Sequence, residues 1–145
     1  MKLNRTSYFN SLIRISSKVI RVATFSHFCL NLSQLKRLIA AYRHVERLDI
    51  CCCELSIPTA PDFSKALQNC QIEEINLLGT GSYSYKNWRD HPEEFNNLIQ
   101  GFARSTDLRT SLRKVNIKNC CIKQSEAEEI FAKNQIRGVT IIGGI

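Results

Sequence analysis

The stretch HVERLDICCCEL, residues 44–55, places apolar side chains at positions 45, 48, 50, 53 and 55. Three later segments repeat this spacing: QIEEINLLGTGSY (71–83), SLRKVNIKNCCI (111–122) and QIRGVTIIGGI (135–145). A weaker copy starts at Val19 and continues through Val22 and Thr24. Self-similarity of this kind marks a repeat architecture, in which each copy supplies one equivalent element. The alternation of apolar and polar residues within each copy predicts that this element is a β-strand.

The connections between the copies have helical spacing. Aligning the copies gives a common central position, occupied by Val22, Leu48, Ile75, Val115 and Val139, at intervals of 26, 27, 40 and 24 residues. Between these positions the apolar period changes from 2 to about 3.6, which predicts a helix in each connection. The first predicted helix carries Leu35, Leu38, Ile39 and Tyr42 after a cap at Ser33, and the second carries Phe63, Ala66 and Leu67 after a cap at Asp62. The third has the apolar positions Phe95, Leu98, Ile99 and Phe102. The fourth has Ile130 and Phe131, with a Ser125–Glu128 capping box at its start and a left-handed Asn134 at its end.

The pattern L-x-x-L-x-L-x-x-(C/N/T), with a helix in each connection, resembles the leucine-rich-repeat superfamily in its longer, ribonuclease-inhibitor-like variety. The resemblance covers about residues 19–145 and implies an α/β fold, a short solenoid of four or five strand–helix coils with a parallel sheet on its concave side. It also implies that Cys53 and Cys120, which share the position just past the strand, bond to the backbone of neighbouring coils. An ordinary α/β domain with parallel strands is the alternative that the same patterns fit.

One interval is longer than the others. The 40 residues between Ile75 and Val115 exceed the preceding interval by about 13, which predicts an insertion around residues 79–94, with 104–111 as a second place for the extra chain. Insertions in repeat proteins fall on one face, often the binding face. The first candidate carries side chains of the types enriched at interface hot spots: Tyr83, Tyr85, Trp88 and Arg89. A loop packed against its own domain is the alternative.

The amino-terminal third holds all of the excess charge. Residues 1–45 contain eight Lys and Arg and no acid, whereas residues 46–145 contain twelve cations and thirteen acids. Residues 1–18 form a basic amphipathic segment. A helical projection continued to residue 21 puts Phe9, Leu12 and Ile13 on one face and the cations Arg14, Lys18 and Arg21 on the other. A serine-containing, acid-free, amphipathic start is typical of mitochondrial targeting. A basic cap on the fold and a nucleic-acid-binding arm are the alternatives.

Several classes of function are disfavoured. No run reaches the roughly 18 apolar residues of a membrane-spanning helix. Seven cysteines, five of them bunched at 51–53 and 120–121, do not form a secreted disulfide framework, which favours a reducing compartment. Adjacent strand residues point to opposite faces, so Cys51, Cys52 and Cys53 cannot all bind one metal ion, and Cys51, projecting beside Asp49, is the best candidate for a reactive thiol. We expect no metal, no cofactor, no small-molecule substrate and no catalytic activity.

The sequence therefore favours a non-catalytic protein–protein interaction module. Similarity to small mitochondrial repeat proteins, such as the ATP synthase coupling factor B family and the assembly factor of the distal membrane arm of complex I, implies an accessory subunit in the respiratory-chain or ATP-synthase machinery. The expected location is the matrix or the matrix side of the inner membrane, with a membrane-surface contact through residues 1–25. The alternatives are an RNA- or mitoribosome-associated protein and a cytosolic regulatory repeat protein. The expected partner-binding residues are Arg47, Asp49, Asn76 and Asn116 on the strands, Tyr83, Tyr85, Trp88 and Arg89 in the insertion, and Arg14, Lys18 and Arg21 at the amino terminus.

Overall fold

The computed structural model describes residues 5–14, 20–81 and 92–144. Five helices and seven strands lie in these ranges. In chain order they are α1 (Arg5–Arg14), β1 (Val22–Ser26), β2 (Cys29–Leu30), α2 (Leu32–Ala41), β3 (Arg47–Cys51), β4 (Glu54–Leu55), β5 (Glu74–Asn76), α3 (Pro92–Ala103), α4 (Leu108–Ser111), β6 (Lys114–Asn116), α5 (Gln124–Lys133) and β7 (Thr140–Ile142).

The strands form a five-stranded sheet in the order β1-β3-β5-β6-β7, and every neighbouring pair is parallel. Strand order therefore follows chain order, with no strand inserted between earlier ones. Strands β2 and β4 make a second, two-stranded parallel sheet just past the ends of β1 and β3. The predicted α/β class with a parallel sheet is confirmed.

Pairing in the sheet corrects the sequence alignment at both ends. The residues opposite one another across the sheet are Ala23, Leu48, Ile75, Val115 and Ile141. The three middle positions are those predicted, but Val22 is one residue early and Val139 two residues early. The observed intervals become 25, 27, 40 and 26 residues, more even than the aligned ones. In this register Gly144 is equivalent to Cys51 and Lys118, not to Cys53 as the alignment had it.

One face of the sheet forms the core. The inward residues Leu48, Ile50 and Ile75 of the strands are buried, as are Leu77 and Ile117 just past β5 and β6, and all of them join the apolar faces of the helices in a single cluster. Buried helical side chains in that cluster include Leu35, Leu38, Ile39, Phe95, Leu98, Ile99, Phe102 and Phe131. The apolar positions predicted for α2 and α3 are therefore the ones that pack.

The helix ends differ from the sequence prediction by one or two residues. Helix α2 is capped by Asn31 and not Ser33, in a reciprocal pair of bonds with Gln34. Helix α5 starts at Gln124, where the Lys123 N–H donates to the Glu126 carboxylate (3.5 Å). At its end Asn134 has φ −94°, and it is Gln135 that takes the left-handed conformation.

The helix predicted after Asp62 is absent, and residues 64–69 are turns. The Asp62 carboxylate accepts the Ser64 N–H two residues on (2.9 Å), which closes a tight turn in place of a helix cap. Asn69, at φ 55°, then reverses the chain. Phe63 and Leu67 are nonetheless buried, and Phe63 packs on Phe102 with ring centroids 5.0 Å apart. The segment therefore covers the core as the apolar pattern predicts, without the regular helix.

Helix α1 packs against the fold by its apolar face. Phe9 is 4% exposed, and the Arg37 guanidinium lies over its ring, 5.3 Å from the centroid. Arg37 also donates to the Asn10 side chain (3.1 Å), and the Tyr42 hydroxyl donates to the Leu12 carbonyl (2.7 Å). The predicted face of Phe9, Leu12 and Ile13 is thus directed at the chain's own core.

Part of the long interval between β5 and β6 is packed against the domain. Its second half contains α4, where Leu108 is buried, and the Asp107 carboxylate accepts the Asn69 N–H (2.8 Å). Residues 104–111 therefore support the core. Residues 82–91, which hold most of the first predicted insertion, lie outside the described residues.

Candidate functional site

The outward face of the five-stranded sheet carries two rows of side chains. We call it the polar sheet face; its members are Val22, Arg47, Glu74, Lys114 and Thr140 in one row and Thr24, Asp49, Asn76, Asn116 and Ile142 in the other. Most are exposed or half-buried, because period-2 alternation turns them away from the core. The four strand residues predicted to bind a partner, Arg47, Asp49, Asn76 and Asn116, all lie on this face.

Asp49 differs from the expectation because it is buried, with 5% of its surface exposed. Its carboxylate accepts from the Arg47 Nε (3.0 Å) and from a terminal guanidinium nitrogen of Arg47 (3.2 Å), and also from the Thr24 hydroxyl (3.0 Å). A carboxylate with three donors is already satisfied. Asp49 therefore holds Arg47 in place, and of the two only Arg47 reaches solvent.

Asn76 and Asn116 sit opposite each other on adjacent strands and have the same local geometry. The Asn76 Oδ1 accepts the Leu78 N–H (3.1 Å), and the Asn116 Oδ1 accepts the Lys118 N–H (3.0 Å). Each side-chain oxygen thus binds its own backbone two residues on. The bond fixes each amide so that its NH₂ group, a double donor, is directed away from that backbone.

A shallow groove runs across the middle of the polar sheet face. Its volume is about 240 Å³, and it is lined by Arg47, Glu74, Ile75, Asn76, Lys114 and Asn116. Glu74 and Lys114 are directly opposite each other across the β5–β6 pair, two residues before the asparagines. Opposite charges therefore alternate along one row of the groove, from Arg47 through Glu74 to Lys114.

A row of left-handed residues follows the strands. His27, Cys52, Gly79 and Asn119 stand four positions after the central residues of β1, β3, β5 and β6, with φ of 61°, 53°, 68° and 57°. Left-handed backbone is costly for a residue with a Cβ and tolerated best by Gly and Asn. This row gives Cys52 a structural place that the sequence did not reveal. Gly79 at the equivalent position was the available signal.

The next residue in three of these turns bonds back to the preceding strand. The Cys53 thiol donates to the Phe25 carbonyl (3.5 Å), the Cys120 thiol to the Leu77 carbonyl (3.0 Å), and the Thr80 hydroxyl to the Ile50 carbonyl. We call Cys53, Thr80 and Cys120 the donor ladder. The register makes the three bonds equivalent. The pattern matches the backbone-bonding role expected for Cys53 and Cys120.

Four thiols have a raised pKa, which favours their protonated form. Burial, with Asp49 nearby, raises the pKa of Cys51 to about 11, and burial raises the pKa of Cys120 to about 12. Burial also raises the pKa of Cys53 and of Cys70. For Cys51, expected to be the best candidate of the three for a reactive thiol, the raised pKa disfavours the thiolate form that reacts. Within the described ranges, no group of three or more His, Cys, Asp or Glu could hold a metal ion.

Of the remaining predicted partner-binding residues, the structure describes the side chain of Arg21 alone. Tyr83, Tyr85, Trp88, Arg89 and Lys18 lie outside the described residues, and of Arg14 only the backbone, at the end of α1, is described. Arg21 is placed just before β1 with its side chain 81% exposed, 3.8 Å from the Glu46 carboxylate. A surface pair of this kind contributes little to stability. Among these cations only Arg21 has a described side chain, and it does not line the groove.

A second depression, of about 260 Å³, lies where α1 meets the start of the sheet. Its lining is mainly aromatic and aliphatic, and the Tyr8 and Phe28 rings face each other there at 6.0 Å. The predicted partner-binding residues that the structure describes do not line it. It is a packing seam beside α1, and the polar sheet face remains the better candidate for a site.

Two further findings bear on what the chain is. Among the described residues no helix is both long and apolar enough to cross a membrane. No protein-family model, curated protein or solved structure matches this chain.

Proposed function

We propose that the chain is a short leucine-rich-repeat solenoid of four or five coils that works as a non-catalytic protein–protein interaction module. Three regularities support the repeat: strand order follows chain order, the left-handed row recurs at one position, and the donor ladder recurs at the next. A row of small polar residues bonding to neighbouring coils is what stacked repeats need to satisfy their backbone groups.

The observation that carries the function is the polar sheet face. Rigid parallel strands hold polar side chains at fixed spacings of about 4.8 Å between strands, and the opposite face is fully used by the core. The charges on the polar sheet face are mixed, with Arg47 and Lys114 balanced by Asp49 and Glu74. A mixed face suits a protein partner, whereas a phosphate backbone requires a positive one.

We further propose that this module is an accessory subunit of a mitochondrial assembly in the respiratory-chain or ATP-synthase machinery, on the matrix side. The acid-free first 45 residues support this location. Because Phe9 packs on the fold, contact of the folded protein with an anionic membrane surface would rely on charge, through exposed cations such as Arg21.

Native purification of the tagged full chain tests the assembly. We expect recovery in a discrete complex much larger than the 16.6 kDa monomer, retained through a moderate salt wash. Recovery as a free monomer would overturn the proposal. Release by nuclease, or a steep loss of binding with salt, would favour the RNA- or mitoribosome-associated alternative.

Localisation needs a variant that keeps the fold. Deleting residues 1–25 would remove most of β1, so the better variant replaces Arg14, Lys18 and Arg21 with Gln. We expect the wild type in mitochondria and the triple variant largely outside them. A cytosolic wild type would favour the cytosolic regulatory alternative.

A further inference from the structure

We propose that Lys114, Asn76 and Asn116 form a subsite for a carboxylate of the partner protein, and that Glu74 beside them receives a cationic side chain of that partner. The inference rests on the proposed function, because it names the chemistry that the polar sheet face recognises. The occupant is a protein segment with an acidic and a basic side chain next to each other.

The two asparagines supply oriented neutral donors. Their oxygens are committed to the Leu78 and Lys118 N–H groups, so the NH₂ groups remain for a ligand. The residues are direct cross-strand partners, which puts the two amides about one strand spacing apart. Two donors at that spacing match the two oxygens of a carboxylate, which can accept several bonds. Because the amides are held by their own backbone, little side-chain order is lost on binding.

Lys114 supplies the charge. It precedes Asn116 by two residues, so its side chain leaves the same face of β6, and it lines the groove with both asparagines. The residue is half-buried, so part of its side chain lies along the groove. One cation with two oriented donors is a set suited to a singly charged anion.

Glu74 excludes more highly charged ligands. It lies directly across from Lys114, so a polyanion laid along the groove would meet its carboxylate. Asp49 also disfavours highly charged anions, because its carboxylate accepts the Arg47 Nε–H at 3.0 Å and neutralises that guanidinium. Lys114 is then the main cation of the groove. Adjacent positive and negative groups therefore select a partner whose own charges alternate in the reverse order. The groove volume of about 240 Å³ suits one or two side chains.

Zero-length crosslinking of the natively purified assembly tests the subsite. A carbodiimide joins a carboxylate to an amine only when the two are in contact. We expect peptide mass spectrometry to find Lys114 linked to an Asp or Glu of the partner and Glu74 linked to a partner lysine. In the free protein we expect a link between Glu74 and Lys114 themselves, because they are opposite each other across the β5–β6 pair. Crosslinks that place the partner elsewhere on the chain, with none at Lys114 or Glu74, would overturn the inference.

Substitutions give an independent readout. Lys114→Gln, and separately the pair Asn76→Ala and Asn116→Ala, should each weaken partner binding about tenfold or more. The matched control is Lys65→Gln, which removes an exposed lysine from the turn segment at 64–69 and should not change binding. Each variant's urea midpoint shows that it is folded. For the asparagine pair, which also loses two local bonds, Asn76→Asp keeps the acceptor, removes the donor and should weaken binding as well.

The two proposals fail differently. If no partner co-purifies with the wild type, the interaction function and the subsite are both wrong. If a partner co-purifies and Lys114→Gln binds it as tightly as the wild type, the module stands and the carboxylate subsite is wrong.

Discussion

The Cys120 thiol donates a hydrogen bond to the carbonyl oxygen of Leu77 at 3.0 Å, across to the preceding strand of the sheet. Cys53 makes the same bond to Phe25, and Thr80 makes it to Ile50. Two cysteines and a threonine therefore have the same role, which is to donate a hydrogen bond to the preceding coil from a small side chain. Cys53 and Cys120 are explained by position in the fold and require no metal or redox chemistry.

Among the donor-ladder residues, substitution of Thr80 gives the clearest test of the ladder's contribution to stability. Its hydroxyl donates to the Ile50 carbonyl and accepts the Cys53 N–H (3.4 Å), in a fully buried setting. Thr80→Val keeps the shape and leaves both backbone groups without this partner, so we expect a loss of about 1–3 kcal/mol in the free energy of unfolding. Thr80→Ser keeps the hydroxyl and should lose less than about 1 kcal/mol. Equal losses in urea denaturation would argue against the ladder.

Cys53→Ser keeps a donor for the Phe25 carbonyl, so we expect a loss of about 1 kcal/mol or less. Ile50→Asp puts an uncompensated carboxylate into the core and should prevent folding or cost more than about 4 kcal/mol. Urea denaturation and metal analysis of both proteins provide the check. A metal bound by the wild type and absent from Cys53→Ser would refute the structural role.

Replacing Cys52 with glycine should stabilise the fold. Its φ of 53° is strained for a residue with a Cβ, and glycine removes that strain at a smaller cost in chain entropy. Cys52→Gly should raise the free energy of unfolding by up to about 1 kcal/mol, and Cys52→Val should lower it by about 1–2 kcal/mol. Asn119→Gly is the matched control and should gain less, because asparagine already tolerates this conformation. A destabilised Cys52→Gly would contradict the left-handed assignment.

Cys51 should react slowly with alkylating agents. A pKa raised from 9.0 to about 11 leaves about 100-fold less thiolate near pH 8. We expect iodoacetamide labelling of Cys51, followed by peptide mass spectrometry, to be slow in the folded protein and fast in urea. Labelling at the same rate in both states would show that the thiol is not shielded.

The same shift makes stability depend on pH. Because the folded pKa of Cys51 is raised, the unfolded chain loses its proton first, and stabilisation that is complete below about pH 9 declines as pH rises towards 11. The loss of unfolding free energy between pH 8.5 and about 10.5 should be smaller in Cys51→Ser than in the wild type. A steeper loss in Cys51→Ser would contradict the direction of the shift.

Helix α1 should contribute to stability through Phe9. Phe9→Ala removes a buried ring and the Arg37 contact on it, for an expected loss of about 2–4 kcal/mol. Tyr8→Ala, on the neighbouring residue with 48% exposure, should lose less than about 1 kcal/mol. Similar small losses for both in urea denaturation would mean that α1 is not docked in solution.

The middle of the sheet was predictable and its ends were not. Leu48, Ile75 and Val115 belong to repeat copies whose inward positions are occupied by large apolar residues, so only one alignment places all of those residues on the core face. Ala23 is a weak hydrophobic signal beside Val22, and the last copy offers Val139 and Ile141 two residues apart, on the same face. Because strand periodicity is 2, only pairing with β6 decides between those two.

Alternation predicted which strand residues lie on the polar sheet face, but it did not predict which of their side chains are free to bind a partner. Asp49 looked exposed because its burial depends on Thr24, 25 residues earlier, and on Arg47 folding back along the strand. The amide orientation of Asn76 and Asn116 likewise depends on the turns at Leu78 and Lys118. Alternation therefore predicts which way a residue points, whereas the hydrogen bonds that its side chain makes, local for Asn76 and Asn116 and partly long-range for Asp49, decide whether it is free to bind.

Carboxylate footprinting of Glu74 tests the interaction face most directly. The protein is labelled with a carbodiimide and glycine ethyl ester, once alone and once within its purified assembly, and each acid is quantified by peptide mass spectrometry. We predict that Glu74 is labelled in the free protein and strongly protected in the assembly, while Glu128 on the exposed side of α5 is labelled equally in both. Unchanged labelling of Glu74 together with protection of Glu128 would contradict the account, because it would put the partner on the helical side.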